Sequence, residues 1–244
     1  MIIIVIIVKR DFAELRSLMK EGRRSSRRPS SLAREVGVKI SKETVEQNRE
    51  RVIDTAARLF RERGIDGIGL VDLMKAAGLT PGGFYRQFKS KDDLVVQAVK
   101  RAYDDMSADL GRRIAASDDP LQTLVQHYVS DYHRDDPGHG CSLAALAGDA
   151  ARHDDPVLRE FFGNIVGNYI GLLTALVPGP DAEAKRSAAI AALAEMIGSV
   201  VLSRVVPDQT LSGEIIDTVS KDLVARHSLS RSAPMGNAKP TKRR

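Results

Sequence analysis

Residues 70–91 read LVDLMKAAGLTPGGFYRQFKSK, a short helix, a glycine corner and a second short helix. Leu70, Leu73, Met74 and Ala77 recur at i, i+3, i+4 and i+7, one apolar stripe with Asp72 and Lys75 turned outward. Gly78 ends the first helix, because glycine enters the left-handed region without a Cβ clash, and the apolar Leu79 after it defines a sharp corner. Thr80 at the N-cap and Pro81 at the first helical position start the second helix. Phe84 and Phe88 form its inner face, which leaves Gly82, Gly83, Tyr85, Arg86 and Lys89 outside. Two glycines in the first turn cost about 1 kcal/mol each in helix propensity. That cost makes sense where the helix end must approach a phosphate or a base edge closely. Taken alone, the stretch also fits an ordinary helical hairpin on a surface.

The rest of the chain narrows the choice. Its 244 residues are 43% hydrophobic with no Trp and few aromatics, so the core is aliphatic; beyond the first eight residues strand-favouring runs are nearly absent, which predicts an all-α protein. A single cysteine excludes an intramolecular disulfide and fits a reducing cytoplasm. The net charge of +5 hides an asymmetry: residues 1–48 carry an excess of +5, residues 49–91 of +4, residues 92–230 of −9 and residues 231–244 of +5. A basic front on an acidic body points to a polyanion at one end and to no general nucleic-acid affinity at the other.

MIIIVIIV, residues 1–8, is too short to span a bilayer and lacks the flanks of a signal peptide. Residues 1–45 read as a basic, disordered extension. A DNA-contacting arm, a membrane-surface segment and translated upstream sequence compete for it, and the last is favoured because a reading frame starts naturally near Val38 or Lys39. From Glu46 to Arg63 the stripe Val52, Ala56, Leu59, Phe60 predicts an amphipathic helix closed by Gly64. With the two short helices it makes a three-helix head, residues 46–92, around one small core.

NRERVIDTAARLFRERGIDGIGLVDLMKAAGLTPGGFYRQFKSKDDL, residues 48–94, resembles the head of the tetracycline-repressor (TetR) family of bacterial transcriptional regulators, in its LF…G ending, its aspartate-led turn helix and its Phe-Tyr-x-x-Phe-x-x-Lys run. The resemblance implies that the helix at 81–88 enters the major groove of double-stranded operator DNA. Thr80, Pro81, Gly82, Gly83, Arg86 and Lys89 would then face bases or nearby backbone, and Tyr85 and Lys91 match the family's phosphate contacts. Gly69 and Val71 depart from the family, which has Thr or Ser and then a polar residue there; Arg49 or Arg51 would compensate.

Ser90 opens the next helix with Asp93 as its capping partner, and that helix reads as a lever from the head to the body, residues 93–228. Helices are predicted near 120–135, 141–152, 156–176, 182–204 and 211–227, punctuated by Asp-Asp-Pro at three places. The stretch 184–206 is apolar over much of its circumference and rich in small residues, so residues 182–227 are the expected homodimer interface. Residues 229–244 read as a disordered basic tail.

No catalytic constellation is present, so the chain is not expected to be an enzyme. His133, Asp135, Asp136, His139 and Cys141 crowd one loop, but their spacing matches no standard zinc motif, and neither metal nor cofactor is expected. Cys141 falls at a helix start with His139 close by. A helix dipole and a protonated histidine both favour thiolate, which makes Cys141 a candidate redox or electrophile sensor. GCSLAALA also resembles a motif of one TetR subgroup, some of whose members respond to electrophiles or oxidants. The expectation is a homodimeric repressor released from a palindromic operator by a small-molecule effector or by thiol modification, and not a membrane protein. The rival is a helical small-molecule-binding protein or enzyme whose head is a protein-interaction module.

Overall fold

The computed structural model describes residues 42–232, which hold eleven helical segments and, among the described residues, no strand. Residues 1–41 of the predicted N-terminal extension and the last twelve residues lie outside this range, whereas residues 42–45, expected to be disordered, form the exposed start of a helix. The first helix, α1, runs Lys42–Arg63, four residues longer at its start than its apolar stripe marks, because residues 42–47 are exposed and need no stripe. Gly64 closes it at φ +80°, its N–H donating to the Phe60 carbonyl. Helix α2, Leu70–Ala76, starts at Gly69 without a side-chain cap and buries Leu73 and Met74. The corner is a Schellman motif: Gly78 at φ +71° donates to the Lys75 carbonyl and Leu79 to the Met74 carbonyl.

The second element of the turn, Pro81–Arg86, is a 3₁₀ helix and not an α-helix. Paired glycines hold an α-helix poorly, and a tighter turn of six residues is enough to bring Phe84 inward. Thr80 occupies the cap position in extended backbone, but its hydroxyl makes no capping hydrogen bond. Phe84 and Phe88 stack at 5.3 Å between centroids and, with Phe60 and Met74, fill the head's core.

Helix α3, Lys91–Ala115, begins with the predicted cap. Ser90 Oγ accepts from the Asp93 N–H while Asp93 Oδ2 accepts from the Lys89 N–H. It packs along α1, and Arg101 bridges Glu50 and Asp54 across the seam while Arg49 donates to Gln97. These contacts join head and lever into one unit. The body follows as α4 (Pro120–Tyr128), α5 (Asp131–Asp135), a 3₁₀ turn at Pro137–His139, α6 (Ser142–Arg152), α7 (Pro156–Leu176), α8 (Ala182–Val205) and α9 (Gln209–Ser232).

The helix predicted over 120–135 is in fact two. Val129 leaves the helical region at ψ 80°, and Ser130 ends one helix by donating to the His127 carbonyl and starts the next by accepting from the His133 N–H. Asp119, Asp136 and Asp155, each directly before a proline, cap the elements that follow, as the repeated Asp-Asp-Pro implies. Helix α9 reaches Ser232, so the start of the predicted tail, at 229, is helical.

Candidate nucleic-acid interface and its control

From Lys75 to Lys91 the chain carries four basic side chains and no acidic one. The fold places this run at one end of the molecule around the 3₁₀ turn. Thr80, Pro81, Gly82, Arg86 and Lys89 are exposed, and Tyr85 is 75% exposed with its ring edge against Phe84. An aromatic so open is not contributing to the core; its hydroxyl is presented outward by a ring that Phe84 buttresses. Gly82 has nothing within van der Waals reach of a Cβ, so its bareness serves approach from outside and not internal packing.

Other candidates sit less simply. Lys91 is partly buried, with Nζ 3.5 Å from the well-exposed Asp66 carboxylate, a weak pairing that a phosphate can displace. Arg49 lies with its guanidinium 5.4 Å over the Phe88 ring and bonded to Gln97, so it braces the recognition turn against the lever; Arg51, exposed beside the Gly78 corner and bonded to Asn48, is the freer of the two. Val71 is 59% exposed on the outer side of α2 and Gly69 offers no hydroxyl, so that helix carries no uncharged polar anchor at these two positions.

Cys141 is the N-cap of α6, as expected from sequence, and it is 2% exposed. Its thiol donates to Tyr169 Oη at 3.7 Å. The expected histidine partner is corrected: His139 is exposed and turned to Asp136 at 2.9 Å, and the imidazole beside Cys141 belongs to His133. His133 Nδ1 faces the Tyr128 carbonyl at 2.7 Å, so that nitrogen carries the proton, while Nε2 accepts from the Cys141 backbone N–H at 2.9 Å. Burial, aided by the cations Arg204 and Arg61, lowers its pKa to about 4. A neutral histidine supplies no positive charge to the thiol. We expect a thiol reagent to label Cys141 only as fast as the body opens; labelling at the rate of a short unfolded peptide would show the burial to be wrong.

This loop is where the head meets the body. Arg61, near the end of α1, donates from Nη1 to the Gly140 carbonyl at 3.1 Å, and the Ile65 N–H donates to Asp149 Oδ2 of α6. Arg204 of α8 donates to the His133 and Arg134 carbonyls from the other side. A Cβ on Gly140 would lie 2.6 Å from the His133 ring, so only glycine lets the loop pass there. Burial lowers the Arg61 guanidinium below its ordinary range, and Asp105 and Cys141 oppose that shift. Arg61 was readable in the sequence as a charge on the apolar stripe Ile53, Ala57, Arg61; His133 and Arg204 had no local signal.

Comparison with known proteins agrees with this layout. A family profile described as bacterial regulatory proteins, tetR family, matches residues 52–98, from within α1 through the turn into α3. Over that stretch, which is the head, the chain matches the TetR family. The HTH-type transcriptional repressor KstR2 of Rhodococcus jostii is 30% identical over 105 residues, 43% of this chain and 50% of that protein. The chain thus spans about half the length, or less, of the first curated relatives it matches. TetR-family structures extend the likeness to the body: a regulator from Cytophaga hutchinsonii superposes with TM-score 0.64 at 22% identity over 78% of this chain and 98% of its own, and one from Chloroflexus aurantiacus with 0.62 at 25% over 75% and 96%. The all-α TetR fold therefore reaches well beyond the head.

Proposed function

We propose that this chain is a TetR-family transcriptional repressor that binds a palindromic operator as a homodimer and leaves it when a small molecule binds. The basic face around the 3₁₀ turn carries the reading: the run from Lys75 to Lys91 brings four cations and no acid, and a bare glycine and an open tyrosine hydroxyl beside them suit a polyanion. Affinity should fall steeply with salt. Tyr85→Phe and Lys91→Gln should weaken binding to operator and random duplex alike, each by up to about tenfold, since phosphate contacts carry no sequence information. Arg86→Ala should instead erode discrimination by about 1 to 3 kcal/mol. Competition titrations against operator and scrambled DNA read both; unchanged discrimination in Arg86→Ala would remove that residue from base reading.

Dimerisation is supported by α8. Ile190, Ala194, Val201 and Val205 line one exposed face at i, i+4, i+11 and i+15, with Gly198 between them, and Leu202 and Leu211 extend it. Val205 is 72% and Leu202 58% exposed. An apolar strip of this length on a soluble monomer calls for a partner, and small residues on it allow close helix approach. Helix α8 is also long and apolar enough to cross a membrane by length and composition, yet its other face packs between α7 and α9, which favours a second copy as the occupant. Val201→Glu with Val205→Glu should yield monomers in sedimentation and lower operator affinity at least a hundredfold at nanomolar protein. A double variant that remains dimeric places the interface elsewhere.

A further inference from the structure

Between the end of α1, the middle of α3 and the α4–α5 region lies a cleft of about 220 Å³. Its inner lining includes Arg61, Ala102 and Gly140, all buried, and its outer lining includes Asp105 and Tyr132, both exposed. The charges in it are unevenly matched. Asp109 is paired with Arg112 and Arg113, and Asp136 is hydrogen-bonded to His139. Arg61 is different: 9% exposed, it holds one carbonyl, its buried Nε has no acceptor, and among the described residues it has no carboxylate at ion-pair distance. Asp105 at the mouth likewise forms no ion pair among the described residues. Asp105, Asp136 and Glu62 favour the Arg61 charge only from beyond ion-pair distance and do not offset its burial, and the remaining cost falls when an anion reaches it.

We propose that this cleft binds a compact zwitterion, its carboxylate on Arg61 and its ammonium toward Asp105, and that occupancy loosens operator binding. Arg61 belongs to the head and donates to the body loop at Gly140, so an anion competing for its guanidinium acts directly on the head–body joint. The regulatory half of this proposal rests on the repressor reading above; the binding half does not. A carboxylate alone satisfies Arg61 but faces Asp105 unaided, and an amine alone leaves Arg61 as it is, so neither replaces the zwitterion.

The test uses the full chain and a series of ω-amino acids, β-alanine, 4-aminobutyrate and 6-aminohexanoate, with acetate and propylamine as controls. The Arg61 Nε–H resonance reports binding, and operator titration reports release. One chain length should give a saturable shift at least tenfold tighter than acetate or propylamine. Asp105→Asn should abolish that preference, and Asp105→Glu should move the optimum to a shorter amino acid. No saturable shift with any of the probes, or equal affinity for acetate and the amino acids in wild type and Asp105→Asn, overturns the site. Saturation with unchanged operator affinity overturns the regulatory half alone. A chain that never binds operator fails as a repressor, while the resonance titration still decides the cleft.

Discussion

Phe84→Ala is expected to lower stability by about 3 to 5 kcal/mol and to abolish operator binding, the range for a fully buried aromatic cut back to a methyl. Phe84 has no exposed surface, stacks on Phe88 and supports the ring of Tyr85, all within a six-residue 3₁₀ turn that has paired glycines and no side-chain cap. Little else holds the turn in place, so the cavity cannot be absorbed locally. Chemical denaturation followed beside operator titration separates the two effects. Tyr85→Phe, which removes only an exposed hydroxyl, should keep wild-type stability; if Phe84→Ala kept wild-type stability as well, the turn would not depend on its aromatic core.

The second large effect is acid sensitivity centred on His133. Its folded pKa of about 4 lies below the ordinary value of 6.5, so the unfolded chain takes up a proton first as the pH falls. The stability contributed by neutral His133 is complete above pH 6.5 and is lost progressively as the pH falls to about 4, where the loss levels off. At 1.36 kcal/mol per unit the loss is about 3 kcal/mol. Protonation puts a hydrogen on Nε2, which then cannot accept from the Cys141 N–H, and places a charge beside Arg204 and Arg61. Burial also lowers His127 and His227, which tilt the curve the same way. His133→Gln isolates the effect: its denaturation free energy should fall less steeply between pH 6.5 and 4 than that of wild type. Parallel curves would assign the acid sensitivity to other groups.

These two sites differ in how far the sequence discloses them. The head was legible because its signals are local: Leu70 to Ala77 at helical spacing, Gly78 at a corner that needs positive φ, Pro81 after Thr80, and Ser90 with Asp93 as a reciprocal cap. The 3₁₀ character of 81–86 was not, since a one-residue difference in hydrogen-bond spacing leaves the same inward residues at 84 and 88. The body loop is not legible in the sequence for a related reason. Spacing favoured His139 as the neighbour of Cys141, but the break at Val129 and Ser130 swings His133 back under the loop, and Gly140 makes room for its ring. Contacts between elements distant in sequence, Arg61 to Gly140 and Arg204 to His133, leave no periodicity to read.

In the proposed repressor those contacts would be the means of control. Arg101 and Gln97 tie head to lever, while the body holds the head at Arg61 and Ile65. A change at that joint alters head orientation, and in a dimer it alters the separation of two recognition turns. The most direct test of the whole account is selection of the full chain against random duplex DNA, with sequencing of the bound pool and the stoichiometry of the selected complex. The expected result is enrichment of an inverted repeat whose half-sites are read by one protomer each, lost in Arg86→Ala. Recovery of unenriched DNA, or of a single unrepeated site bound by a monomer, would contradict it.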